Sequence, residues 1–272
     1  MKRFLFLFLV TLVTHSLPAQ SFTLLSWNIR DLSKTKDDTE IQFMAQLIHD
    51  YDIIAIQEVV AGYGGAQAVA RLADAMNRKG GNWDYRISDP TKSNPYQKER
   101  YAYIWNRKKI KLINRPWLKF DLADLITREP YLARFQLLAT KDTFLVLNFH
   151  SIPWNKQPEQ EAKYLKFLPK KYQGETILFA GDYNMPDDHT VFNPLKKMGY
   201  APILQNVRTT INKKRINPDG TYFGHPIDNI FYDINIFELI ESARIDFVPS
   251  RGNLKKANMI SDHLPVWGEF EF

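Results

Sequence analysis

Eight short apolar runs recur along the chain, and several of them are rich in β-branched or aromatic residues and end at turn-forming residues. Such runs are typical of β-strands, because branched and aromatic side chains pack well on a pleated surface. They lie at residues 22–27, 53–56, 101–105, 131–139, 144–149, 177–180, 227–232 and 264–270. The sequence therefore predicts a layered fold built around many short strands.

Helical periodicity appears between some of these runs. In the clearest case, apolar residues recur at spacings of three, four and seven after a group of acidic residues, at Ile41, Met44, Ala45 and Ile48. This pattern favours an amphipathic helix, whose N-terminal end attracts negative charge. Shorter candidates lie at 67–78, 159–168 and 191–198. No repeat or long linker divides the 272 residues, so one mixed α/β domain is expected.

The first twenty residues, MKRFLFLFLVTLVTHSLPAQ, have the pattern of a signal peptide. A basic start is followed by an apolar run from Phe4 to Val13 and by a small residue, Ala19. This run is much shorter than the roughly 20 residues that a membrane-spanning helix needs. We expect residues 1–20 to be removed on export and residues 21–272 to form a secreted or periplasmic protein with no stable membrane association.

Charge and cysteine content narrow the chemistry. The formal charge is +6, and loss of Lys2 and Arg3 with a segment that has no acidic residue leaves +4. This balance suits a polyanion such as nucleic acid, although solubility alone also accounts for it. The chain has no cysteine, which excludes disulfides, thiol nucleophiles and cysteine-bound zinc. The chemistry must use oxygen and imidazole.

Polar residues flank the ends of many predicted strands. They are Asn28, Glu58, His150, Asp182, Asn184 and the pair Asp262-His263. Taken singly, each is more often a turn, cap or surface residue. Strand ends of a layered sheet can bring distant residues together, and this set suits phosphodiester hydrolysis. Carboxylate and amide oxygens are ligands for Mg²⁺, and imidazoles move protons or stabilise charge on phosphate.

Eight motifs carry a family resemblance: SWNIRDL, DIIAIQEV, NPYQKERYAYIW, TREPYLARF, LNFHSIP, AGDYNMP, PIDNIFY and SDHLPV. In this order they resemble the endonuclease/exonuclease/phosphatase superfamily over nearly all of residues 22–272, and KERY, TREP and FHSIP resemble its deoxyribonuclease I branch. The resemblance implies a four-layer α/β/β/α sandwich of two mainly antiparallel sheets. It also implies a catalytic domain at 21–272 that is a secreted, divalent-metal-dependent endonuclease leaving 5′-phosphate ends on DNA.

The resemblance also implies roles for individual residues. Mg²⁺, or else Mn²⁺ or Ca²⁺, would be held with the phosphate by Glu58, Asn28 and Asp262. Asp182 and Asn184 would face the scissile phosphate and the attacking water. Glu99 would orient His150, and Asp228 would orient His263, since a carboxylate on one ring nitrogen fixes the tautomer. Which histidine is the acid and which the base stays open.

Substrate contacts are implied for Arg30, Tyr96 and Arg128, with duplex DNA as the partner and no protein partner. The alternatives are surface salt bridges for the arginines and a loop aromatic for Tyr96. Val60 stands where the branch carries an arginine that enters the minor groove, which predicts weaker binding to duplex DNA.

Two other functions are possible alternatives. One is a sphingomyelinase-like phosphodiesterase, which the motifs KERY and TREP disfavour. The other is a non-catalytic nucleic-acid-binding module, which would not require the full set of polar residues.

Overall fold

The computed structural model describes residues 21–94 and 97–272, and the predicted signal peptide at 1–20 lies outside them. The strands are β1 (Phe22–Leu32), β2 (Ile53–Val60), β3 (Trp83–Ile87), β4 (Glu99–Asn106), β5 (Ile110–Leu112), β6 (Trp117–Leu118), β7 (Tyr131–Leu137), β8 (Thr143–His150), β9 (Ile177–Asp182), β10 (Tyr200–Pro202), β11 (Asp228–Asp233), β12 (Glu238–Arg244) and β13 (Val266–Glu271). The α-helices are α1 (Asp38–Ile48), α2 (Tyr63–Arg78), α3 (Glu159–Ala162), α4 (Leu168–Lys171), α5 (Asn193–Lys197), α6 (Val248–Arg251) and α7 (Leu254–Ile260).

The strands form two sheets. The first has the order β12-β13-β1-β2-β4-β3, and the second has the order β10-β11-β9-β8-β7-β5, with β6 paired to β7. One pair in each sheet is parallel, β1 with β2 and β8 with β9. The other pairs among the described strands are antiparallel. Both sheets are therefore mainly antiparallel, as predicted.

Three apolar clusters separate four layers, which confirms the predicted α/β/β/α sandwich. One cluster lies between the first sheet and its outer helices and contains Trp27 and Leu72. The second lies between the sheets and contains Leu24 and Tyr103. The third joins the outer face of the second sheet to the remaining helices and includes Phe179. Because side chains alternate along a strand, β1 contributes Leu24 to one cluster and Trp27 to another.

All eight predicted strands are present, as β1, β2, β4, β7, β8, β9, β11 and β13. The pattern does not predict β3, β5, β6, β10 or β12. Four of these are the edge strands of the two sheets, and β6 is a two-residue strand beside β7. An edge strand is often short or polar, as in β12 with the sequence ELIESAR. Periodicity therefore identifies central strands better than edges.

The helical predictions are confirmed in part. Helix α1 is present and begins with a capping box formed by Asp37 and Glu40. The predicted helix at 159–168 is instead α3, a 3₁₀ turn and α4, and Pro169 stands at the start of α4, where its missing N–H is tolerated. Helices α6 and α7 are not predicted by the sequence. In the part of the chain that the structure describes, no helix is long and apolar enough to cross a bilayer.

Candidate active site

The inward faces of the central strands change from apolar to polar at one end of the sandwich. On β9, Leu178 packs between the sheets, and the alternation of a strand places Asp182 further along the same face. Strand pairing sets His150 and Asp228 beside Asp182 on either side. Glu99 begins β4 at this end. The polar residues therefore lie on the same strand faces as the inter-sheet core, at the end where these faces reach the surface.

Strand β2 reaches the site through an irregular stretch. Its register with β4 shifts between Ile56 and Val59, and Glu58 within that stretch has a φ of 60°. Such a bulge re-aims a side chain, and Glu58 accepts a hydrogen bond from Asn28 Nδ2 at 3.0 Å. Asp31, whose N–H donates to Glu58 Oε2 at 3.3 Å, also has a positive φ. Non-glycine residues in this region are uncommon and cluster at functional sites.

The residue before Asp182 is a glycine, Gly181, because the backbone of the neighbouring strand is very close. A Cβ atom on Gly181 would lie 2.0 Å from the carbonyl oxygen of Phe149. Beyond the strand, Asn184 donates its backbone N–H to Asp182 Oδ1 at 2.9 Å and its side-chain amide to Ser151 O at 3.1 Å. The motif AGDYN therefore builds a tight strand end that fixes Asp182.

Two carboxylate-imidazole pairs converge on Asp182. His150 Nδ1 lies 3.0 Å from both carboxylate oxygens of Glu99, and His263 Nδ1 lies 3.0 Å from both oxygens of Asp228. The opposite ring nitrogens face Asp182 Oδ2, with His150 Nε2 at 3.5 Å and His263 Nε2 at 3.8 Å. Each imidazole thus has one nitrogen fixed by a carboxylate and the other aimed at a shared centre.

The two pairs differ in charge. Burial and the nearby Arg128 guanidinium lower the pKa of His150 to about 4, and burial raises the pKa of Glu99 to about 7 in spite of Arg128. Burial also opposes the charge on His263, but the carboxylates of Asp228 and Asp182 outweigh it and raise its pKa to about 10. At neutral pH, His150 is therefore neutral and His263 is an imidazolium.

Several residues that sequence reasoning missed hold His263 in place. Thr209 donates its hydroxyl to Asp228 Oδ2 at 2.6 Å, and Trp27 Nε1 donates to His263 O at 2.9 Å. Ser261 accepts the His263 N–H at 3.0 Å and donates to Asn28 O at 2.7 Å. Ser261 belongs to the motif SDHLPV and could have been singled out. Thr209 lies outside the eight motifs, and no sequence signal identified it.

Buried side chains form hydrogen bonds that hold the loops around His150 in place. Arg128 donates to His150 O at 3.1 Å and to Ser151 O, and its guanidinium lies 3.4 Å from Glu99 Oε2. Glu161 accepts the N–H groups of residues 127 and 152 at 2.7 and 2.9 Å. Glu129, fully buried, accepts the N–H of residue 92 at 3.0 Å. In a chain without cysteine, these contacts supply the cross-links between loops.

A cation fits the oxygen atoms of Asn28 and Glu58. Asn28 Oδ1 is buried without a hydrogen-bond partner, although its amide nitrogen is engaged, and the adjacent Glu58 side chain is 27% exposed. Asp182, Asp228 and His263 also offer ligand atoms within 4.8 Å of one another. His263 would release its proton on binding a cation there, because a metal ligand must be deprotonated. Hard oxygen donors suit Mg²⁺.

The model of the endonuclease/exonuclease/phosphatase family matches residues 25–263. This span includes every site residue described above. The chain belongs to this family. Its match also confirms the resemblance drawn from the eight motifs, and the deoxyribonuclease-like branch is supported by individual relatives.

Two relatives and one solved structure are similar to the chain. It is 31% identical to Deoxyribonuclease-1-like 1 of Sus scrofa over 265 residues, 91% of this chain and 80% of that protein. It is 26% identical to a deoxyribonuclease of Thioalkalivibrio sp. (strain K90mix) over 223 residues, 78% of this chain and 59% of that relative's length. The structure of a family member from Bacteroides vulgatus superposes with a TM-score of 0.67 at 16% identity, covering 93% and 99% of the two chains. This last likeness concerns the fold.

In the present chain, most of the predicted site residues lie together. The group comprises Asn28, Glu58, Glu99, His150, Asp182, Asn184, Asp228 and His263. Asp262 follows on the chain, but its carboxylate contacts Arg30 Nη1 at 3.3 Å and Lys213 Nζ at 3.4 Å. Arg128 is buried with its guanidinium engaged, and Tyr96 lies outside the described residues. The metal role of Asp262 and the substrate roles of Arg30, Arg128 and Tyr96 stay predictions.

Proposed function

We propose that the chain is a divalent-metal-dependent endonuclease that hydrolyses DNA and leaves 5′-phosphate ends. The convergence of the His150 and His263 Nε2 atoms on Asp182, next to Glu58 and Asn28, carries this proposal. Nucleic acid is supported as the substrate by the names of the two deoxyribonuclease relatives. Phosphodiester hydrolysis is the chemistry that two positioned imidazoles and a hard-cation site serve best.

We propose different roles for the two imidazoles because of their difference in charge. Neutral His150 accepts a proton from the attacking water, and protonated His263 donates one to the 3′-oxygen that leaves phosphorus. Glu99 and Asp228 hold the two rings, and Asp182 lies between them. A divalent cation, for which we propose Mg²⁺, would be held by Asn28 and Glu58 and would offset the charge that develops on the phosphate.

Supercoiled plasmid is expected to pass through nicked circles to fragments when purified protein and Mg²⁺ are present. An internal cut releases supercoiling before the strands are fragmented. Excess chelator should abolish cleavage, and Glu58→Gln should require more Mg²⁺, because it removes a charged oxygen ligand. Gel analysis of plasmid, RNA and sphingomyelin hydrolysis in parallel tests the substrate class. Full activity in chelator would contradict the metal requirement, and shortening from DNA ends alone would contradict endonuclease action.

We also propose that residues 1–20 are removed on export and that 21–272 are the catalytic domain. Strand β1 begins at Phe22, and the Ser21 hydroxyl donates to Glu269 Oε1, so cleavage after Gln20 leaves the first strand intact. Mass spectrometry of protein recovered from the medium or periplasm of the expressing cells should show a chain starting near Ser21. Recovery of the intact Met1 chain from membranes would contradict this.

A further inference from the structure

A groove opens beside the active site, between the loop at 213–222 and the segment at 248–255. Its volume is about 920 Å³, which is within the size range of ligand sites. We call it the lysine groove; its principal lining residues are Lys213, Lys214, Ile216, Tyr222, Leu254 and Lys255. Lys213 Nζ lies 3.4 Å from the carboxylate of Asp262, the residue before His263. Lys213 therefore links one end of the groove to the segment that carries His263.

The lysine groove combines a cationic rim with an apolar floor. Lys213, Lys214 and Lys255 contribute positive charge, and no acidic residue is among the described residues that line the groove. Ile216 is 54% exposed and lies in the groove beside Leu254 and Tyr222, so its side chain is accessible to a ligand. The Tyr222 hydroxyl donates to Asp246, which fixes the ring at the groove wall. The three lysines indicate an anionic ligand, and the apolar lining residues indicate that this ligand also has an apolar part.

We propose that the lysine groove binds a single-stranded nucleic-acid segment that flanks the bond to be cleaved. This inference rests on the proposed nuclease function. A duplex presents phosphates to the rim but keeps its base faces stacked, so the apolar floor would have no partner. An unpaired strand offers both groups, because its backbone follows positive charge while its bases pack on aromatic or apolar side chains. Two lysine groups that are separate in sequence, 213–214 and 255, meet in this groove.

The proposal predicts a preference for DNA with a single-stranded extension. Binding is measured by fluorescence anisotropy on His150→Ala protein, with a blunt duplex and with the same duplex carrying a short extension. The variant Lys214→Ala/Lys255→Ala should weaken binding of the extended duplex by about tenfold and lower its salt slope by about 1.4, or 0.7 for each of two phosphates. Ile216→Ser should weaken the extended duplex several-fold without changing the salt slope.

Matched controls separate the groove from general charge. Lys108→Ala/Lys111→Ala removes the same charge from exposed residues near the end of the sandwich opposite Glu99 and should leave the preference unchanged. If His150→Ala protein with an unmodified groove binds the blunt duplex and the extended duplex with equal affinity, the proposal is overturned, even if the wild-type protein cleaves plasmid. Loss of binding to phosphatidylcholine/phosphatidylserine vesicles in the groove variants, with DNA binding unchanged, would assign the groove to lipid instead. Absence of any nuclease activity would overturn the proposed function itself.

Discussion

Alanine in place of His150 or His263 is expected to lower turnover on duplex DNA by about 10²–10⁴-fold, because a general acid or base contributes a factor of this size. Each imidazole has one ring nitrogen bound to a carboxylate at 3.0 Å and the other facing Asp182. Neither can be replaced by a neighbour in the same geometry. Initial rates at saturating DNA and Mg²⁺ measure the effect.

Folding must be controlled because His150 is buried and its loss leaves Glu99 with fewer partners. Thermal melts identify variants that remain folded. His49→Ala is a matched control: His49 contacts the Asp50 carboxylate at 3.4 Å, beyond the end of α1, and its loss should leave turnover unchanged. The double variant should lose less than the product of the two single losses, since the imidazoles act in one step. A folded double variant with near-normal turnover would remove both from the mechanism.

The central strands and the location of the site follow from the sequence because one physical rule produces both. Alternation with a period of two carries the inward face of a strand from the core to a polar end, as from Leu178 to Asp182 on β9. Apolar runs that end in polar residues therefore predict which residues meet at the edge of the sandwich. The motifs then supplied the two partners, Glu99 and Asp228, that lie at the starts of other strands.

Other features depend on contacts that no local pattern encodes. The orientation of the Glu58 side chain results from a register shift between β2 and its neighbours. The hydroxyl that donates a hydrogen bond to Asp228 belongs to Thr209, which lies in a loop 19 positions earlier in the sequence. The opposite charge states of the two histidines arise from burial and from Arg128 on one side and from two carboxylates on the other. Sequence alone could pair each histidine with its carboxylate but could not assign acid and base.

Asp228→Asn is expected to move the alkaline limb of the pH–rate profile of turnover to lower pH and to reduce turnover at about pH 9 by roughly 10²-fold or more. Asp228 makes the largest contribution among the groups that raise the pKa of His263. An asparagine keeps the shape and can still accept from the ring, but it removes the charge. His263 then loses its proton at lower pH, so less of the acid form is present in alkaline solution. Rates measured from acidic to alkaline pH test this, with partial recovery expected as the pH falls.

The pH dependence of protein stability is a second measure of the protonation of His263. The folded protein raises the pKa of His263 to about 10, whereas an unfolded histidine titrates near pH 6.5. Its stabilising contribution is therefore complete below about pH 6.5 and is lost as the pH rises through about 10. In Asp228→Asn this loss should be complete at lower pH, which denaturant titrations across the range would show.

Asp52→Asn is the matched control for both measurements. Asp52 is also a buried carboxylate that accepts a threonine hydroxyl, from Thr23 at 3.3 Å, but it pairs with Lys109 at 3.1 Å and lies at the start of β2, away from the imidazoles. Its variant is expected to melt at a lower temperature and to keep the alkaline limb of turnover in place. If Asp228→Asn leaves that limb unchanged while the protein stays folded, a group other than His263 donates the proton to the leaving oxygen. The acid assignment would then fail, whereas the proposed role of His150 would still be tested separately by the turnover of His150→Ala.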